Sequence, residues 1–266
     1  MRHYGGMDRA DHAELVDIVA TALDEGVNLF DVTHDEERAM LGAIMTELGA
    51  RTRMFLTCWI SKEATGSAPK VETEAERALS LLGTDHVDVL YLDWTCNSEQ
   101  ALAMQRLRER GLTRFIGLLG VDTALAEDIS EFDVVLVNHN FYLRDREPDI
   151  ERIRRRYPHM GIISLEPLGR GRFATDATAP RDSLVVPCLK YALAFESVDA
   201  TLVAVRRLSQ LQENLRLWTS RGELSREERV ALESGPGYAP PHPRQTARRI
   251  AIPGNRARGL PIGSCT

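Results

Sequence analysis

Short apolar runs and amphipathic stretches alternate along this chain almost without interruption. The first amphipathic stretch covers residues 14–25, with Leu15, Ile18, Val19, Ala22 and Leu23 spaced along one helix face. Asp8 or Asp11 is placed to cap that helix and Gly26 to stop it. Residues 27–30 then read as a strand that delivers Asp31 at its carboxyl end. Beyond them the pattern predicts helix 36–48, strand 54–60, helix 72–82 closed by Gly83, and strand 87–92. Helix 98–110, strand 115–121, a short helix near 123–129, strand 134–137 and helix 147–157 follow. Strand 161–165, helix 184–195, strand 201–205, and helices 208–221 and 225–233 complete the series.

The strands are continuous apolar runs rather than alternating ones, as in a parallel sheet buried on both faces. Strand–helix repetition over 266 residues fits an α/β TIM barrel, (β/α)8, with a doubly wound open sheet as the alternative. Seven strands are clear, so an eighth has to come from the opening residues. A seven-stranded sheet would leave an exposed edge, which folds seldom tolerate. Three expectations follow: a short or incomplete first strand at residues 2–5, cover from another segment or a homo-oligomer partner, or a truncated chain. Residues 1–234 form the barrel in this reading. Residues 235–266, rich in Pro, Gly and Arg and without periodicity, form a tail.

Charge and cysteines narrow the classes. A net charge of −6 argues against nucleic acid or an anionic membrane surface as partner. No apolar run approaches a bilayer span, and the N-terminus lacks the apolar core of a signal peptide. Cys58, Cys96, Cys188 and Cys265 are scattered with no CxxC pair. That excludes a simple zinc knuckle or disulfide framework and fits a reducing, cytoplasmic setting. A small-molecule substrate is the partner class that remains.

Several segments carry a resemblance in a fixed order: "GVNLFD" at 26–31, "LLGTDHVDVLYLDW" at 81–94, "GLTRFIG" at 111–117, "NHNFY" at 138–142, "GIISLEPLGRG" at 161–171 and "VDATLVAVRRLSQLQENL" at 198–215. Together they resemble the aldo-keto reductase superfamily, over about residues 4–233. The Glu-Pro-Leu at 166–168 is similar to the branch whose members often carry a C-terminal iron–sulfur cluster. This tail has only Cys265, too few thiolates for such a cluster.

The resemblance implies carbonyl reduction by NADPH through an Asp, Tyr, Lys and His tetrad. Asp31 carries over; the tyrosine position holds Glu36, the lysine position Cys58 or Trp59, and the histidine position Asp93. The tetrad is therefore degenerate. The family's contacts to the nicotinamide carboxamide fall on Leu119, Gly120 and Leu136, and its stacking aromatic on Leu165. Its basic residue for the 2′-phosphate falls near Ala204, and its later arginine near Gln210. Arg206, Arg207, Glu213 and Asn214 remain as candidates for the phosphate and adenine end, so NADP(H) is a possible cofactor whose nicotinamide contacts are largely missing.

On a parallel barrel the strand ends converge, gathering Asp31, His34, Cys58, Asp93, Asn138, His139, Asn140 and Glu166. Clustered carboxylates suit acid/base work, because like charges raise one pKa, or they suit a divalent metal. Each residue also has a bland reading. Asp31 or Thr33 could cap the next helix, Asp93 could cap another, His139 could simply pack, and Cys58 could be a small core residue. Three functions compete. In the first, acid/base chemistry of the lyase, isomerase or hydrolase type uses Asp31 and Asp93, assisted by His34 and Glu166. Glu36, Cys58, Trp94, His139 and Asn140 then line the pocket. The second is an atypical NADP(H)-dependent oxidoreductase that takes its proton from Glu36 or His34. The third is a non-catalytic relic that binds a ligand or partner. The residues favour the first narrowly.

Overall fold

The computed structural model describes residues 12–60, 67–93, 98–126, 128–169, 182–220 and 223–234. In chain order they form α1 (His12–Asp24), β1 (Leu29–Val32), α2 (Asp35–Glu47), β2 (Phe55–Ile60), α3 (Ala68–Leu82), β3 (Val87–Asp93), α4 (Ser98–Glu109) and β4 (Thr113–Leu119). Then follow α5 (Val121–Ala126), β5 (Val134–Asn138), α6 (Glu147–Arg156), β6 (Gly161–Leu165), α7 (Asp182–Leu193), β7 (Ala200–Thr201), α8 (Leu208–Ser220) and α9 (Arg226–Ser234). The described strands make one sheet in sequence order, every pair parallel. This is the expected α/β architecture. The expected first strand at residues 2–5 and the tail lie outside the described residues.

Helix α3 shows how the local rules operate. Pro69 opens it, and Val71, Ala75, Ala78, Leu79 and Leu82 bury one stripe. Gly83 closes it at φ 64, a left-handed turn that glycine adopts without a Cβ penalty. Of the boundaries that differ from the sequence pattern, three bear on the strand ends. Strand β1 is displaced two residues, so Asp31 lies within it rather than past its end. Strand β4 stops at Leu119, and Val121 already begins α5. Strand β7 has two residues where 201–205 was expected, because apolar content alone does not supply a ladder partner.

Alternation along the strands sorts side chains into two layers. Val32, Leu56, Cys58, Leu90, Leu92, Ile116, Leu118, Val135 and Val137 join the helices in the main outer core. Val89, Tyr91, Val134, Leu136 and Ile163 form a separate inner cluster, against which Leu29, Trp59, Leu119, Leu165 and Leu202 pack. That cluster spans both ends of the sheet, so the sheet is curled around it. Helix α1 rests against α8 on the same side, where Glu14 accepts from the Leu208 amide at 3.2 Å. Gly117 makes room inside the curl: a Cβ there would lie 3.0 Å from the Tyr91 Cβ. Among the described residues no helix is long and apolar enough to cross a membrane.

Candidate active site

Neighbouring inward positions of β1, β2 and β3 bring Asp31, Thr57 and Tyr91 together. Asp31 pairs in register with Thr57, and Tyr91 sits on the next strand opposite Trp59. The Thr57 hydroxyl donates to Asp31 Oδ1 at 2.6 Å, and the Tyr91 phenol donates to the same oxygen at 3.0 Å. Both bonds fall on Oδ1, and Oδ2 takes neither. Burial pushes the Asp31 carboxyl up to about 6, against the pull of the two hydrogen bonds. Burial and the adjacent Asp31 hold the Tyr91 phenol well above its ordinary range. The phenol is therefore a fixed donor, and the carboxyl is the group that titrates.

Trp59 faces the same interior. Its indole Nε1 is buried and has no hydrogen-bond partner among the described residues. Its carbonyl accepts from Arg38 Nη2 at 2.7 Å. Arg38 is 1% exposed and also binds Asp35 at 2.9 Å and Glu74 at 2.8 Å, so it ties α2 and α3 to the end of β2. Of the two candidates for the family's lysine position, Trp59 points inward and Cys58 points to the helices. Cys58 is fully buried in the outer core, and burial raises its thiol to about 12, so it does not line the interior.

The remaining sequence-selected residues are dispersed. His34, not Asp31 or Thr33, stands at the N-cap of α2; it is exposed, and its amide donates to Glu37 at 3.2 Å. Glu36 is exposed in the first turn of α2. Asp93 ends β3 two residues beyond Tyr91, on the inner register, while Trp94 lies outside the described residues. His139 is wholly buried behind β5, stacked on Phe195 at 4.5 Å and bonded to Glu147 at 3.0 Å. Asn140 is a brace: it accepts from the Tyr142 amide and donates to the Glu166 carbonyl, both at 3.0 Å. Glu166, at the end of β6, has φ 60, a left-handed conformation costing a non-glycine residue roughly 1–2 kcal/mol. Among the described residues, no three His, Cys, Asp or Glu side chains are grouped to hold a metal.

Tyr91 and Thr57 are site residues that sequence reading missed. The signal for Tyr91 was its odd-numbered place on β3, which shares a face with Val89 and Asp93.

Residues 1–185 match the Aldo/keto reductase family, and the chain belongs to that family. It is 23% identical over 199 residues to an uncharacterized oxidoreductase, YqkF, of Bacillus subtilis, covering 62% of this chain and 65% of that one. It is 24% identical over 203 residues to L-galactose dehydrogenase of Arabidopsis thaliana, covering 63% of each. The chain thus spans less than two thirds of these relatives' length. Its fold is similar to an aldo-keto reductase from Klebsiella pneumoniae solved in complex with NADPH, with TM-score 0.68 and 17% identity over 86% of this chain and 87% of that one.

The positions that the resemblance assigns to the nicotinamide are altered: Leu119, Leu136 and Leu165 pack there as apolar wall. At α8 the backbone donors are already used: Leu208 N goes to Glu14, and Arg206 N and Arg207 N go to Gln210 Oε1 at 2.9 and 3.2 Å. The Arg207 guanidinium lies 3.5 Å from Glu14 as well. Arg206 and Glu213 are exposed and Asn214 is half-buried.

Proposed function

We propose that this chain is an oxidoreductase that interconverts a carbonyl and an alcohol, the hydride being exchanged with a nicotinamide nucleotide and the proton at the substrate oxygen being moved by Asp31. The observation that carries the reading is the Asp31 carboxyl held on Oδ1 by Thr57 and Tyr91. An acid/base group works best when its pKa lies near the working pH, and a carboxyl near 6 meets that condition. Tyr91 and Thr57 orient it, and Oδ2 meets the ligand. The names of the relatives, an oxidoreductase and a dehydrogenase, support redox chemistry over proton transfer alone. His34 and Glu36, on the exposed start of α2, are poorly placed to share the work.

The test is a carbonyl and alcohol panel assayed with NADPH, NADH and their oxidised forms, on wild type, Asp31→Asn and Tyr91→Phe. Reduction that weakens as pH rises through about 6, and collapses in Asp31→Asn, is the expected result. A second reading, proton transfer without a nucleotide, is favoured by the leucines at the nicotinamide positions and by Glu14 at α8. No nucleotide binding together with Asp31-dependent elimination or isomerisation would establish that reading instead.

A further inference from the structure

The buried indole N–H of Trp59, whose ring packs on the inner cluster, is a donor without an acceptor. Leaving such a group unpaired costs about 1–3 kcal/mol, so its burial points to a partner the protein itself does not provide. Trp59 is also held from behind. Arg38 binds its carbonyl, and its ring packs on the cluster containing Tyr91, its register neighbour. Among the described strand positions the ionisable groups facing that interior are Asp31, Tyr91 and Asp93, with Glu37 of α2 acting on the first two, and none of these positions carries Lys or Arg.

We infer that Trp59 Nε1 is the ligand-binding donor of this site, receiving an uncharged oxygen, and that the mouth rejects carboxylate-bearing molecules. A neutral donor in place of a cation can hold a carbonyl or hydroxyl oxygen but does not offset a second negative charge beside Asp31. Leu119 and Leu136 supply an apolar wall for the rest of such a ligand. The inference rests on the reading that Asp31 Oδ2 faces the ligand.

The experiment is an NMR titration of full-length protein carrying ¹⁵N-labelled indoles, with benzaldehyde and benzyl alcohol against benzoate at pH 8. The Trp59 signal is assigned from Trp59→Phe, and the exposed Trp218 serves as internal control. The expected result is a downfield Trp59 indole proton with both neutral probes and at least tenfold weaker benzoate binding. Trp59→Phe should weaken the neutral probes about fivefold, the worth of one net hydrogen bond. Asp31→Asn should narrow the gap to benzoate. Benzoate binding as tightly as benzaldehyde overturns the inference. So does a Trp59 signal unmoved at saturation, or no binding of either neutral probe at its solubility limit. Indole shifts without turnover would sink the catalytic reading and leave this one standing, and turnover with a silent indole would do the reverse.

Discussion

The mouth of the curled sheet has two unlike halves. Across β1 to β3 it is polar and interlocked: Thr57 and Tyr91 converge on Asp31, and Arg38 fixes the end of the strand bearing Trp59. Across β4 to β6 and at α8, where the family's nucleotide would lie, it is leucine wall and a helix end bonded to its own chain. The difference teaches that the two parts of the family's reaction are separable in a sequence. One corner is built around the Tyr91 phenol on β3, while Leu119, Leu136 and Leu165 make the other corner apolar.

The largest effect should come from the polar half. Asp31→Asn keeps an acceptor for Thr57 and Tyr91 but cannot take up or release a proton. Turnover should fall about 10²–10⁴-fold in steady-state kinetics, the range of a lost general acid or base. A loss below tenfold would move the chemistry elsewhere.

The same variant should be more stable than wild type at high pH. The folded-state pKa of Asp31 is raised to about 6 from 3.8, so the folded chain binds more protons between those values and loses stability as pH rises through them. Asp31→Asn escapes that loss. Its unfolding free energy, from chemical denaturation, should match wild type near pH 4 and exceed it at pH 8 by up to about 3 kcal/mol.

The smallest effect should come from the other half. Glu14→Gln removes the charge that lies against α8 and Arg207. Affinity for inorganic phosphate or NADPH should rise a few-fold in calorimetric titrations, in line with the roughly 0.3–1 kcal/mol attached to a charge at a helix end. Wild-type binding of NADPH at low micromolar concentration, unchanged in Glu14→Gln, would break the comparison.

Much of the fold was legible in the sequence because period and punctuation agree there. Continuous apolar strands, the Gly26 and Gly83 stops and the length of the helices lead to a parallel sheet without coordinates. The site was less legible. Asp31 could be singled out because a carboxylate at the end of a buried strand is costly. Tyr91 could not, because within an apolar run one residue's offset decides whether a side chain meets the interior or the helices. That same offset separates Cys58 from Trp59 and sends His139 behind the sheet. Glu14 was out of reach as well, since its partner on α8 lies 194 positions away.

The central claim is that Tyr91 and Asp31 form one proton-handling unit. The most direct measurement is an NMR titration of the ¹³C-labelled Asp31 carboxyl in wild type and Tyr91→Phe. The account expects a pKa near 6 in wild type and a higher one in Tyr91→Phe, because the phenol's hydrogen bond stabilises the carboxylate. An Asp31 that titrates near the ordinary value of about 4, unmoved by Tyr91→Phe, would contradict it.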